Sequence, residues 1–175
     1  MFKKYISAII FSIVFFCFAS SQTLENLKEI NTVWADFYKA FKELDINYMK
    51  KIHSEDLIRI PGGNRILDYN TFMDRYALQF RNDKLTDQTS EISLRFFERL
   101  NTNSKASERG IYKLIRNKGK SDEQVFYGQF HVLMQKTDGS WKIIMDYDSN
   151  EFGTIGKNDF KKAYAIDDFA SLVTN

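Results

Sequence analysis

The spacing of apolar residues changes once along this chain, and that change constrains the fold more than any other feature. From Thr23 to about Asp83, apolar residues recur every three or four positions, which is typical of amphipathic helices with one buried face. From Ile92 to Ser149 they alternate with polar residues, which is typical of strands in an antiparallel sheet. Helices followed by long strands indicate an α+β domain in which the helices pack on one face of a sheet.

Capping residues divide the helical part into separate segments. Ser, Thr, Asp and Asn often precede a helix because their side chains accept hydrogen bonds from the first free backbone N–H groups. The sequence predicts three such helices: Thr23–Leu44, a short helix from a cap at Asp45 to about Ser54, and a third that begins at a cap at Asn70.

The N-terminus has the parts of a secretory signal in the usual order. Lys3 and Lys4 supply positive charge, residues 5–19 are an apolar run, and small residues follow. The alternative is an uncleaved anchor, but the run is shorter than the roughly twenty apolar residues that a membrane-spanning helix needs. We therefore predict a cleaved signal peptide over residues 1–21, and a secreted or periplasmic mature protein with no membrane partner.

The composition of the mature chain argues against several classes of protein. Cys17 is the only cysteine and lies in the predicted signal peptide, so disulfides and cysteine-ligated metal are excluded. Without Lys3 and Lys4, 23 Lys and Arg balance 23 Asp and Glu, which does not suit a nucleic-acid binder. His53 and His131 are far apart in sequence, and no Gly-rich phosphate loop is present. We expect no metal, no cofactor and no nucleic acid.

Asp138 and Gly139 join the last two predicted strands and are typical residues of a two-residue hairpin turn. Such a turn sets which residues face each other on the side towards the helices: Met134 with Ile143, Val132 with Met145, and Phe130 with Tyr147.

The same register places polar residues on the other face of the sheet, with His131 opposite Asp146 and Gln129 opposite Asp148. A His–Asp pair there suits a surface or dimer contact better than catalysis. A three-residue turn would reverse both faces and bring Asp146 and Asp148 inward, because side chains in a strand alternate between faces.

Four segments of the chain occur in the order found in a known superfamily. They are Asp45 after the first helix, the stretch 56–63 with its Pro-Gly turn, the strand at 106–110, and the hairpin segment 138–149. Over residues 24–150 the chain resembles the nuclear transport factor 2-like superfamily, in particular its exported SnoaL-like branch. The resemblance implies a cone-shaped fold over residues 22–150, in which three N-terminal helices pack on a curved antiparallel sheet. We expect residues 151–175 to form a C-terminal tail or short helix.

The resemblance also implies a small, largely apolar ligand in the cone and a homodimer through the convex side of the sheet. Members of the superfamily include isomerases, dehydratases, cyclases, hydrolases and domains without catalysis, so the fold leaves the function open. Ketosteroid isomerases have an Asp before the Pro of the turn and a Tyr on the first helix. This chain has Ile60 and Phe37 at those positions, which argues against that reaction because neither side chain transfers a proton.

Alternation along the strands predicts the residues that face the cone. Glu98, Tyr112 and Tyr147 fall on the concave face in the two-residue register, and Asp148 joins them in the reversed register, where it resembles an acidic residue of SnoaL-like cyclases. We predict these four as ligand-binding residues. A carboxylate in an aromatic cone has a raised pKa and can act as acid or base, whereas Glu98 at a frayed strand end would lie in water.

Three functions stay open at this stage. The first is a ligand-binding domain, the second is a hydrolase, isomerase or cyclase that uses Glu98 or the pair Asp146 and Asp148, and the third is a non-catalytic dimeric interaction module. We expect His53 to be exposed, and Arg59 to meet an acidic ligand or to form a salt bridge.

Overall fold

A computed structural model describes residues 2–172, with side chains from Thr23 onwards. The side chains of the predicted signal peptide lie outside the described residues, so its cleavage stays a prediction. The elements in chain order are α1 (Phe2–Glu43), α2 (Ile46–Ile52), β1 (His53–Ile60), a 3₁₀ turn (Pro61–Gly63), α3 (Tyr69–Leu85), β2 (Ser90–Asn101), β3 (Lys105–Arg116), β4 (Gln124–Thr137), β5 (Ser140–Ser149), a second 3₁₀ turn (Glu151–Gly153), α4 (Lys157–Lys162) and α5 (Phe169–Leu172). In the part of the chain with described side chains, no helix is both long and apolar enough to span a membrane.

The five strands form one sheet in the order β1-β5-β4-β3-β2. β1 runs parallel to β5, and the other neighbours are antiparallel. α1 packs against β2 and α3 against β1, so the helices cover one face of the sheet. The predicted α+β class, with helices packed on a largely antiparallel sheet, is confirmed.

Local chemistry sets the start of the second and third helices. The Asp45 side chain accepts a hydrogen bond from the backbone N–H of Asn47 at 2.9 Å, as predicted for the cap of α2. The cap of the third helix is Asp68 rather than Asn70, because the Asp68 carboxylate accepts from the Thr71 N–H at 2.7 Å.

Aromatic side chains make up much of the core between α1 and the sheet. Trp34 is buried and meets Phe37, Phe96 and Phe130 at ring-centroid distances of 5.6, 6.0 and 5.8 Å. Burying one large apolar side chain stabilises a fold by roughly 1.5–3 kcal/mol, and edge-to-face ring contacts add to this. The apolar face of α1 that the periodicity predicts is therefore the face that packs against the sheet.

The final hairpin has the predicted turn but not the predicted register throughout. Asp138 and Gly139 have φ of 50° and 76°, as a tight turn of this kind requires, and Met134 pairs with Ile143 as expected. A β-bulge at Ile144 then adds one residue to β5.

Beyond that bulge the predicted pairs are wrong. Phe130 faces Asp148, Val132 faces Asp146, Leu133 faces Met145, His131 faces Tyr147 and Gln129 faces Ser149. The extra residue has the effect predicted for a three-residue turn, because a shift of one position moves every later side chain to the opposite face.

A second bulge lies at Phe97 on β2, where Phe96 pairs with Gly110 and Glu98 pairs with Arg109. Gly110 is required there, since a Cβ at this position would lie 1.9 Å from the Arg95 carbonyl oxygen. The bulge turns Glu98 away from the concave face and turns Arg99 into the core, where it is buried.

The segment after β5 packs on the sheet as two short helices joined by an extended stretch. Tyr164 exchanges two backbone hydrogen bonds of 2.8 Å with Phe96, which covers the free edge of β2. The Phe160 ring packs on Tyr127 at 6.0 Å between ring centroids. Part of the convex face is thus covered by the chain's own C-terminal segment.

Candidate functional site

A cavity of about 160 Å³ lies between α1, α3 and the concave face of the sheet. Aromatic rings from α1 and β4 form one wall: Trp34, Phe37, Phe41 and Phe130. Polar side chains from β1, α3, β3 and β5 form a polar end beside that wall: Arg59, Tyr76, Gln79, Tyr112, Asp146 and Asp148. The cavity therefore has an apolar wall and a polar end.

Arg59 is at the centre of the polar end and pairs with two carboxylates of the neighbouring strand. Its Nη2 lies 2.8 Å from Asp148 Oδ2, its Nε lies 3.5 Å from Asp146 Oδ2, and its Nη1 donates to the Asp146 backbone oxygen at 3.1 Å. The Arg59 side chain is only 6% exposed. The pairing follows from the parallel register of β1 and β5, in which Arg59 lies beside Asp146.

The charges of these residues shift their pKa values in opposite directions. Burial alone would lower the pKa of Arg59, but the charges of Asp146 and Asp148 outweigh burial and raise it. Burial alone would raise the pKa of Asp146, but the Arg59 charge and the nearby His53 ring hold it below its usual value. Arg59 and Asp146 therefore form a buried ion pair at neutral pH.

His53 lies behind Asp146 and is buried, so its predicted exposure is wrong. Its Nδ1 donates to the Met49 backbone oxygen at 2.8 Å, which directs Nε2 towards Asp146 Oδ2 at 3.8 Å. Phe72 packs against both side chains, with its ring 5.3 Å from the His53 ring and 5.2 Å from the Arg59 guanidinium carbon. The His53 ring therefore lies next to the Asp146 carboxylate from behind the cavity wall.

Two tyrosine hydroxyls complete the polar end. Burial raises the pKa of Tyr112 to about 12, and the nearby Asp148 charge acts in the same direction. Burial also raises the pKa of Tyr76. Both hydroxyls keep their protons at neutral pH and can donate hydrogen bonds into the cavity.

Comparison of this structure with solved structures identifies its architecture. The chain resembles a nuclear transport factor 2-like protein of unknown function from Shewanella oneidensis, with a TM-score of 0.57 and 20% identity over 70% of this chain and 97% of that chain. The chain has the nuclear transport factor 2-like fold. No protein-family model and no curated protein matches the sequence.

Other structures with the nuclear transport factor 2-like fold carry different descriptions. A conserved protein from Planctomyces limnophilus matches with a TM-score of 0.59 and 14% identity over 70% of this chain and 93% of that chain. A putative scytalone dehydratase from Novosphingobium aromaticivorans matches with a TM-score of 0.57 and 15% identity over 73% of this chain and 85% of that chain. At these identities the likeness shows the fold alone.

Within the nuclear transport factor 2-like cone, the four predicted ligand-binding residues separate into two pairs. Tyr112 and Asp148 line the cavity. Glu98 lies on the convex side, 37% exposed, with one oxygen 3.9 Å from Arg109. Tyr147 also points to the convex side, where its hydroxyl donates to Glu151 at 3.1 Å. The two bulges explain both differences, since each reverses the faces of the residues that follow it.

Sequence reasoning placed Asp146 inward only in the reversed register and did not assign the pairing of Arg59 with it. The signal that could have found the pair is a lone arginine on a short strand next to a strand with two aspartates at alternate positions. Among the residues with described side chains, no group of three or more His, Cys, Asp or Glu is arranged to hold a metal ion. The expectation of no cofactor stays a prediction.

A second buried polar centre supports the aromatic wall of the cone. Glu108 accepts hydrogen bonds from Trp34 Nε1 at 2.5 Å and from Arg99 Nε at 2.7 Å, and neither charged side chain is exposed. Arg99 also donates to the Ile166 backbone oxygen at 2.8 Å. The centre thereby links the indole ring at the cavity to the C-terminal segment.

Proposed function

We propose that this chain is an exported domain that binds a small, largely apolar molecule in its cone. The observation that carries the proposal is the combination of an aromatic wall and a polar end in one cavity. Ligand sites in proteins commonly have this form, with apolar walls for affinity and a few convergent polar groups for orientation.

The charged cluster supports a ligand role over a purely structural one. A buried ion pair often contributes little net stability, because desolvation of both charges offsets their attraction. Yet Arg59, Asp146 and Asp148 all line the cavity, where a bound molecule can use their remaining hydrogen-bonding capacity. Perturbed ionisable groups in a cleft are favoured candidates for functional sites.

Acid–base catalysis is the second candidate, and the contact between His53 and Asp146 favours it. An aspartate that lines a cavity, with a histidine behind it and two protonated tyrosines nearby, can move a proton to or from a bound molecule. One structure of similar fold is described as a putative scytalone dehydratase. The third candidate, a non-catalytic dimeric module, rests on the apolar residues of the convex face that the C-terminal segment leaves uncovered, Leu133 and Ile144.

The test of ligand binding is native mass spectrometry of the protein purified from a host that exports it. A co-purifying small molecule is expected, together with a chain mass that shows loss of residues 1–21. Val132→Phe fills the cavity and should abolish the bound mass, whereas Leu133→Phe, on the opposite face of the same strand, should retain it. Equal retention by both variants would contradict binding in the cone, and a full-length mass would contradict export.

A further inference from the structure

The size of the cavity limits what it can hold. A cavity of about 150 Å³ lined by apolar side chains accommodates one benzene ring, and pockets for drug-sized ligands measure roughly 300–1,000 Å³. The cavity here has about 160 Å³. A molecule with one ring and small substituents fits, and a molecule with several fused rings does not fit without movement of the walls.

The arrangement of the wall favours an aromatic ring. Phe37 lies between Trp34 and Phe41, with ring-centroid distances of 5.6 and 5.1 Å and steep interplanar angles. Aromatic pairs prefer such edge-to-face contacts, because the positive ring edge meets the negative ring face. A ligand ring can join this set without displacing a polar group.

The polar end carries more negative than positive charge. Of the charged groups that line the cavity, one is positive and two are negative. Nη1 and Nη2 of Arg59 each contact an oxygen of β5, and Nε lies 3.5 Å from Asp146 Oδ2 without forming a hydrogen bond. The contacts of the Asp146 carboxylate with Arg59 and His53 both use Oδ2, so Oδ1 keeps its lone pairs for a bound molecule.

We propose that the cavity selects a single-ring molecule with a hydroxyl group, which donates to the Asp146 or Asp148 carboxylate, and that it discriminates against carboxylates. The Tyr112 hydroxyl is placed to donate to the oxygen of the same group. A ligand carboxylate would add a third negative charge beside Asp146 and Asp148, and Arg59, the one cation among the described residues that line the cavity, already pairs with both. This inference rests on the proposed binding function and names its ligand class.

Three probes of similar shape test it: p-xylene, p-cresol and p-toluate, titrated into the full chain and followed by calorimetry and protein NMR. We expect p-cresol to bind at least about tenfold more tightly than p-xylene, as for a hydrogen bond to a charged group. We expect p-toluate to bind more weakly than p-xylene. Chemical-shift changes should centre on cavity residues.

Asp148→Asn identifies the group responsible. It should reduce the advantage of p-cresol and strengthen p-toluate binding about tenfold or more, and the dispersion of its NMR spectrum checks that the variant folds. Asp138→Asn removes a carboxylate at the hairpin turn and should leave all three affinities as they are. If Asp148→Asn fails to fold, Tyr112→Phe should weaken p-cresol binding alone.

The outcomes distinguish failure of the proposed ligand class from failure of the proposed binding function. Equal binding of all three probes, or tightest binding of p-toluate, would overturn the hydroxyl preference and leave cavity binding intact. An absence of binding by p-xylene and p-cresol alike, with no shift at cavity residues, would overturn the binding function itself.

Discussion

Replacement of Glu108 by Gln tests whether the buried centre behind the cavity wall holds the fold together. The change keeps the shape of the side chain but removes the negative charge beside Arg99, which lies 2.7 Å away. Gln has one side-chain oxygen, so it cannot offer separate carboxylate oxygens to Trp34 and to Arg99. Arg99, 2% exposed, would then be a buried cation without a counter-charge.

The expected loss in the free energy of unfolding is about 3–5 kcal/mol, the usual effect of removing one partner of a buried ion pair. Urea unfolding at neutral pH measures it, and the emission of Trp34 should also change because its N–H loses a charged acceptor. The matched control is Glu91→Gln. Glu91 pairs with Lys118 at 2.8 Å but is 54% exposed, so its loss should stay below about 1 kcal/mol.

A double replacement separates the charge effect from packing. With both Arg99 and Glu108 changed to Met, no buried charge is left unpaired, and the loss should be smaller than for Glu108→Gln alone. If Glu108→Gln and Glu91→Gln cost the same, or if the double variant is the least stable, the reasoning from an unpaired buried cation is wrong.

Three further predictions concern the acidic cluster, the sheet and the convex face. The pKa of Asp146 is lowered on folding, so its contribution is present above the usual value of 3.8 and is lost as the pH falls. Asp146→Asn should therefore weaken the acid dependence of urea stability between about pH 5 and 2, and an unchanged slope would contradict this. A Cβ at Gly128 would lie 2.5 Å from the Tyr112 hydroxyl oxygen, so Gly128→Ala should cost about 1–3 kcal/mol in thermal unfolding, and a neutral effect would refute the close approach. If the chain forms a homodimer through the convex face, Leu133→Asp with Ile144→Asp should yield monomers by light scattering, unless the unmodified chain is already monomeric.

Features set by neighbouring residues were predictable from the sequence. The cap at Asp45, the tight turn at Asp138 and Gly139, and the buried stripe of α1 each depend on contacts within a few residues or on one dominant period. Together they predict the α+β class and the order of the elements. The cap of the third helix differed by two residues because Asp68 competes with Asn70 for the same role.

The faces of the strands were predictable only up to the first irregularity in each ladder. An extra residue at Phe97 turned Glu98 outward and Arg99 inward, and one at Ile144 turned Tyr147 outward and Asp148 inward. The alternation of apolar and polar residues does not show where a bulge lies, because a bulge needs only one unpaired residue. Tyr112 lies on β3, whose ladder with β4 is regular, and it lines the cavity as the alternation predicts.

The sequence by itself determined the helices, the strands, the tight turn and the charge balance, because these follow from local propensity, periodicity and composition. Only the tertiary structure decided that Arg59 meets Asp146 and Asp148, because the parallel pairing of β1 with β5 joins segments nearly ninety positions apart. The same long-range pairing fits the bulged register of β5, in which Asp146 and Asp148 lie next to the buried Arg59 side chain of β1. Burial makes that match decisive, since an unpaired charge in the cone would cost several kcal/mol.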